Sequence, residues 1–261
     1  MPFSFSQLSV YRTCPTQYEF ARIKKIPRQI SAGESFGSSV HNTLSKWGKI
    51  EVERGKRKED KDQLTLFMDD PEESSLSLTS DTLSLLWHQS FIVQGYENKK
   101  DADRAREKGE AMMHKFFEWW GQKDREVAAI EKGFSIEVDV NTIKGRFDRV
   151  EQSEDSVQVI DYKTGSIRSQ KEVDEDLQLS IYALASEELF GKPCTELLLL
   201  FLHEDGIHEV RTRRSKEQLE KAKKEINVLS EGIDEGVFTA TPSESACGRC
   251  PYRSICEFSV V

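Results

Sequence analysis

Residues 159–165 read VIDYKTG, an apolar run that ends in an acid, an aromatic, a lysine and a turn. Side chains alternate along a strand, so Asp161 and Lys163 share a face at its end. Taken alone, the pair is either an ordinary ion pair or half of a metal-dependent phosphodiesterase. A second acid, Asp148, stands in the preceding run KGRFDRV, and the turn EQSED folds the two runs together. Asp148 and Asp161 are then expected to meet at one sheet face. Two neighbouring carboxylates are costly unless a cation or a proton lies between them. Magnesium takes one or two carboxylates and keeps its waters for substrate phosphate. Such an ion would orient and deprotonate a water and stabilise phosphate charge. Lys163 would hold that water or neutralise developing charge.

A second constellation is made of sulphur. Three of the five cysteines form one C-terminal cluster at 247–256, CGRCPYRSIC, with Cys247, Cys250 and Cys256. Cys14 lies at the far end of the chain in YRTCPTQY, and Cys194 stands alone in GKPCTE. In a reducing compartment this spacing suggests a metal site rather than disulfides. Thiolates suit both structural zinc and iron–sulphur clusters. Cys194 reads as a buried thiol ahead of a strand.

The elements that position these groups follow from periodicity. The chain has 261 residues, enough for one large domain. A short extended start leads into a helix that Ser6 or Ser9 would cap, with a restart at Pro15. Residues 33–55 show Val40, Leu44 and Trp47 at helical spacing. The stretch 53–81 is charged, then acidic and serine-rich, and reads as a mobile insertion. Helices are expected over 81–96 and 101–123, the second with Met112, Met113, Phe116, Phe117 and Trp120 as a core face. Alternation then predicts a three-strand meander at about 128–139, 142–151 and 156–162. A helix over 174–191 would end at Gly191. Two strands joined at EDG follow, and a last helix is capped by Ser215. The fold class is α/β, a mixed sheet with helices on its faces.

The net charge of −9 argues against a nonspecific DNA coat but leaves room for a local basic cleft. RTRRSK (211–216), Lys144, Arg146 and Arg149 are candidates to line one; RTRRSK reads equally as a solvated strand end. No apolar run is long enough to span a membrane, and the N-terminus lacks signal-peptide character. A cytoplasmic protein is the expectation. No Walker motif is present, so the chain carries no helicase engine.

GRFDRV, VIDYKTG and QLSIYALA together resemble the PD-(D/E)XK nuclease superfamily, in particular its RecB-like branch. That branch combines an aspartate, a downstream Asp-x-Lys and a Gln-x-x-x-Tyr helix, matched here by Asp148, Asp161 with Lys163, and Gln178 with Tyr182. The resemblance implies a single restriction-endonuclease-like domain over 1–261 with a mixed central sheet. It implies that Gln178 and Tyr182, four apart and so on one helix face, contact DNA phosphate or brace the lysine. His41 in FGSSVHNTL matches the branch's early histidine and adds a ligand, shifting preference from Mg²⁺ towards Mn²⁺. The Tyr162 carbonyl is the remaining implied ligand, and Glu131 on the strand before Asp148 could support the site. SFSQLSVYRTCPTQYEF resembles the start of AddB-type iron–sulphur nuclease domains. By that resemblance Cys14, Cys247, Cys250 and Cys256 hold a 4Fe-4S cluster, with structural Zn²⁺ as the alternative, stapling the two ends of the fold together. The implied activity is metal-dependent DNA hydrolysis, exonucleolytic on single-stranded or unwound ends, in repair or recombination and with a possible helicase partner. The rival reading is a non-catalytic DNA-binding or helicase-docking module on the same fold.

Overall fold

In the computed structural model, which describes residues 2–64, 77–122 and 126–261, a six-stranded mixed sheet separates two apolar layers. The chain opens with β1 (Phe3–Ser4), α1 (Phe5–Thr13), α2 (Pro15–Tyr18) and a π-helical turn (Glu19–Ile23). Ser4, not Ser6 or Ser9, caps α1, because its hydroxyl and the Gln7 side chain form a reciprocal capping box. Pro15 occupies the first turn of α2, where its missing N–H costs nothing. Three helices follow, α3 (Ala32–Leu64), α4 (Ser80–Ser90) and α5 (Lys99–Trp120). The segment expected to be a mobile insertion therefore begins as helix, since 53–64 continue α3; 65–76 lie outside the described residues.

The meander is β2 (Glu126–Val138), β3 (Asn141–Gln152) and β4 (Val157–Lys163). The helix expected over 174–191 is α7 (Leu177–Phe190), capped by Asp176, which takes extended backbone and accepts from the Leu179 N–H; a short α6 (Gln170–Asp174) that the periodicity did not show precedes it. Gly191 ends α7 in the left-handed region at φ 62°, as a C-terminal glycine should. The chain finishes with β5 (Cys194–Leu202), β6 (Ile207–Thr212), α8 (Lys216–Asp234) and α9 (Glu244–Arg249). Ser215 and Gln218 form the capping box at the start of α8.

The strands run in the order β1-β3-β4-β5-β6, with β2 on the other side of β3. β1 on β3 and β4 on β5 are parallel; the other pairs are antiparallel. One face packs α1, α7 and α8 over Ile143, Phe147, Val150, Val159 and Leu199. The other packs α3, α4 and α5, through Trp47, Trp87, Met112 and Phe116, over Ile160, Tyr162 and Leu200. Burial of this kind contributes about 1.5–3 kcal/mol for each large side chain. β4 is thus covered on both faces, and only its C-terminal end meets open space.

Candidate active site at the fork between two strands

β3 and β4 pair from Gln152–Val157 to Arg149–Ile160 and then part. Beyond that pair the ladder needs other partners. The Tyr162 N–H donates to Asp148 Oδ2 at 2.9 Å, and the Tyr182 hydroxyl lies 3.0 Å from the Arg146 carbonyl. Side chains thus replace backbone at a buried fork, where an unpaired polar group would be costly.

Asp148 reaches this position because β2 and β3 are irregular together. The pairs Ile130–Arg149 and Lys132–Phe147 flank Glu131 and Asp148, and Glu131 has φ 50°, the left-handed region. Phe147 and Val150 both face the α7 layer, whereas Asp148 and Arg149 both contact α3. Strict alternation would forbid that arrangement; a bulge-like kink permits it. His41, on α3, sits 3.2 Å from Asp148 through Nδ1. One ligand atom from each of His41, Glu131 and Asp148 falls within 4.8 Å of the other two, close enough to hold one ion.

Asp161 lies beside this trio rather than within it. Its Oδ1 is 3.0 Å from Gln178 Nε2 and 3.1 Å from the Tyr182 hydroxyl. Its Oδ2 is 2.5 Å from Lys163 Nζ yet accepts no well-aligned hydrogen bond. Lys163 also donates to Gln178 Oε1 at 3.1 Å, and Gln178 Nε2 lies 2.8 Å from the Tyr182 hydroxyl. Gln178 and Tyr182 share one face of α7 and bracket the acid–lysine pair. Burial holds the Asp161 carboxyl above the usual carboxylate range; Lys163 pulls it back and the charge of Asp148 adds to the rise. Burial, then Asp161 and Asp148, keep the Tyr182 phenol neutral and able to donate. Burial pushes the His41 imidazolium down, but the hydrogen bond and charge of Asp148, with the charge of Asp161, outweigh it and raise His41 overall.

The basic cleft is smaller than the sequence suggests. Arg149 is 2 % exposed and forms a bidentate pair with Glu51 of α3 at 2.7 and 3.0 Å, plus a bond to Glu151 at 2.8 Å. Arg211 pairs with Glu196 and Glu209. Arg214 is spent on the Ser180 hydroxyl and on the Val173 and Asp176 carbonyls. Lys144, Arg146, Arg213 and Lys216 remain exposed, Arg146 with a 3.2 Å contact to Glu131.

Glu131 carries more of this geometry than its place in the sequence suggests. The signal was a break in alternation. Val127, Ala128, Ala129 and Ile130 form an unbroken apolar run, and regular alternation begins only at Phe134, Ile136 and Val138. A strand whose alternation fails over such a run accommodates an irregularity; here the register shifts between Val127 and Ala129, and Glu131 takes positive φ.

The four candidate cysteines meet in a pocket that shares no residue with the fork. Cys14, Cys247, Cys250 and Cys256 line one pocket with Thr16, Phe20, Thr241 and Phe258. Burial raises the Cys14 thiol, but hydrogen bonds from Thr241, Gln17 and Thr16 outweigh it and hold the thiol below its ordinary value. Burial raises Cys250, with the neighbouring Cys14, Cys256 and Cys247 adding to the rise. Cys194 opens β5 and packs against the α7-side core.

No helix among the described residues is long and apolar enough to cross a membrane. Two phage proteins resemble the chain over its length. The Gene 69 protein of Mycobacterium phage D29 is 26% identical, covering 97% of this chain and 95% of that protein. Its namesake from Mycobacterium phage L5 is 24% identical over the same shares, 97% and 95%. A solved structure, "Putative exonuclease" from Eubacterium rectale, shares the fold with a TM-score of 0.50 at 12% identity, covering 98% of this chain and 86% of that one. The profile of the PD-(D/E)XK nuclease superfamily matches residues 2–257, nearly the whole chain, and the chain belongs to that superfamily.

Proposed function

We propose that the protein is a divalent-metal-dependent deoxyribonuclease of RecB-like type, an exonuclease acting on single-stranded or unwound DNA ends. The observation that carries this reading is the fork itself. It gathers three candidate ligands, a buried acid–lysine pair and a Gln–Tyr brace at the open end of β4. The donor set fits Mg²⁺ or Mn²⁺. Two carboxylates suit a hard cation, and the imidazole tilts preference to manganese. His41, Glu131 and Asp148 would hold the ion, joined by Asp161, whose Oδ2 lacks a well-aligned donor, and by the Tyr162 carbonyl. When bound, the ion supplies an activated water and neutralises phosphate charge.

The chain's own residues do the rest. The Lys163 ammonium is fixed between Asp161 Oδ2 and Gln178 Oε1, so it reaches an attacking water or a phosphate oxygen without searching for its rotamer. Tyr182 and Gln178 hold Asp161 Oδ1 and so fix the direction of Oδ2. Lys144 and Arg146 flank the fork as cations for the DNA backbone. Apart from the fork, Cys14, Cys247, Cys250 and Cys256 would hold a 4Fe-4S cluster as a structural staple. Structural Zn²⁺ on the same four thiolates is the alternative. A role in repair or recombination with a helicase partner follows the same resemblance.

End-labelled single- and double-stranded DNA with Mg²⁺ or Mn²⁺ tests the reading. Wild type should degrade it in an EDTA-sensitive manner, and Asp161→Ala and Lys163→Ala should each lose at least about 100-fold in rate. If wild type and both variants bind DNA and none cuts it, the catalytic reading gives way to an accessory module.

A further inference from the structure

A second group of candidate metal ligands stands apart from the fork and from the cysteines. The β5–β6 hairpin turns through HEDGIH, residues 203–208. One ligand atom from each of His203, Asp205 and His208 lies within 4.8 Å of the other two. The two imidazoles stand edge to face with centroids 5.4 Å apart. His203 Nε2 lies 2.8 Å from the Gly165 carbonyl. A carbonyl only accepts, so Nε2 carries the proton and the neutral ring keeps its lone pair on Nδ1. That is the arrangement by which a second contact fixes the tautomer of a metal-binding histidine.

His208 supplies the independent observation. Its Nε2 is shut away from solvent and has no hydrogen-bond partner among the described residues. Asp205 Oδ1 is 3.6 Å away, too long for a hydrogen bond. A tetrahedral ion with bonds of about 2.0–2.1 Å needs its ligand atoms about 3.3 Å apart, so the Asp205–His208 pair is within a few tenths of an ångström of that spacing, and His203 lies within 4.8 Å of both. The adjoining acid, Glu204, faces Lys108 at 3.8 Å and is not needed.

We propose that His203, Asp205 and His208 form a binding site for a borderline divalent transition metal of the zinc class, with the fourth position open to water. Two imidazoles and one carboxylate suit Zn²⁺ and disfavour Mg²⁺, which prefers oxygen. The hydrogen bond from His203 to Gly165 ties the site to the loop that leaves the catalytic strand, so the ion would clamp the hairpin turn against that loop. The site does not rest on the nuclease reading.

The chain has five histidines, so ring ¹⁵N resonances can be assigned with His→Gln variants. Zn²⁺ is titrated into Mg²⁺-loaded protein while the imidazole shifts are followed. His203 and His208 should move together as a single Zn²⁺ equivalent binds. Asp205→Asn, at an exposed turn position that folding tolerates, should raise the apparent Kd at least about tenfold. Zn²⁺ should raise the melting temperature of wild type and not that of His208→Gln. Zinc taken by the cysteines leaves these rings unmoved, and zinc at the fork moves His41 instead. Rings of His203 and His208 that stay still in excess Zn²⁺, or that respond equally in Asp205→Asn, overturn the proposal. Both readouts are independent of DNA cleavage.

Discussion

His41 joins the titration of the site to its affinity for metal. Burial alone would favour the neutral ring, but Asp148 and Asp161 win, and the folded pKa lies above the ordinary value. In metal-free protein the sign follows directly. The His41–Asp148 contact contributes stability that is fully present below the unfolded histidine pKa and is lost as pH rises through the raised folded value. An ion needs the deprotonated ring, so proton and metal compete. Mn²⁺ affinity, read by the paramagnetic signal of free ion, should fall as pH drops through the raised His41 pKa. In His41→Asn the overall affinity should be weaker and that pH dependence shallower. A wild-type affinity indifferent to pH across this range would remove His41 from the ligand set.

At the scale of elements, the site depends on how α3 is fastened to β3. Arg149 is buried and its guanidinium is shared by Glu51 and Glu151. Burial opposes its charge, but Glu51 and the surrounding acids raise its pKa overall. Glu51→Ala leaves that charge with one partner. It should cost about 3 kcal/mol in urea unfolding, the lower end for breaking a buried pair because Glu151 remains. The same change should loosen α3, and with it His41. A Glu51→Ala protein as stable as wild type would mean that water reaches Arg149 in place of the acid.

This element also shows where reading the sequence stops short. Period-two alternation located the meander to within two residues, and helical spacing in Val40, Leu44 and Trp47 identified α3. Lys163, Gln178 and Tyr182 meet because strand and helix periodicities put them on facing surfaces. Arg149 looked like part of a DNA cleft because charge pattern carries no direction. The kink at Asp148 turns Arg149 inwards, and that kink arises from the opposing strand. Lysine, arginine and glutamate are good helix formers. A charged stretch after a helix can therefore extend it, as 53–64 do.

For the whole molecule, the cysteine pocket is where the ends of the chain converge. Protein purified without oxygen should be brown and contain iron in molar proportion to chain, and Cys14→Ser should lose iron and stability together. Colourless, zinc-loaded protein would replace the cluster with a structural zinc. The convergence does not rest on metal alone. The Tyr11 hydroxyl donates to the Val237 carbonyl at 2.6 Å and Thr16 to the Phe238 carbonyl at 2.8 Å. Thr241 donates to the Thr13 carbonyl at 3.1 Å and Tyr252 to the Ile26 carbonyl at 3.1 Å.

These contacts span more than two hundred residues, with separations of 222 to 228. During synthesis α1 emerges early and waits for its seat. At ordinary translation speeds that wait is roughly 10–45 s. Over that interval α1 and α2 lack their C-terminal partners, although β1 can already pair with β3 at Ile143 and Lys144. A chain interrupted before Val237 never gains the closing contacts. What it leaves uncovered is the apolar surface of Tyr11 and Tyr18 that Phe238 packs against, and exposed apolar surface of that kind draws chaperones and proteases. The seat of the N-terminal helices is therefore the last part of the fold to close, well after the residues of the fork, which end at Tyr182, have left the ribosome.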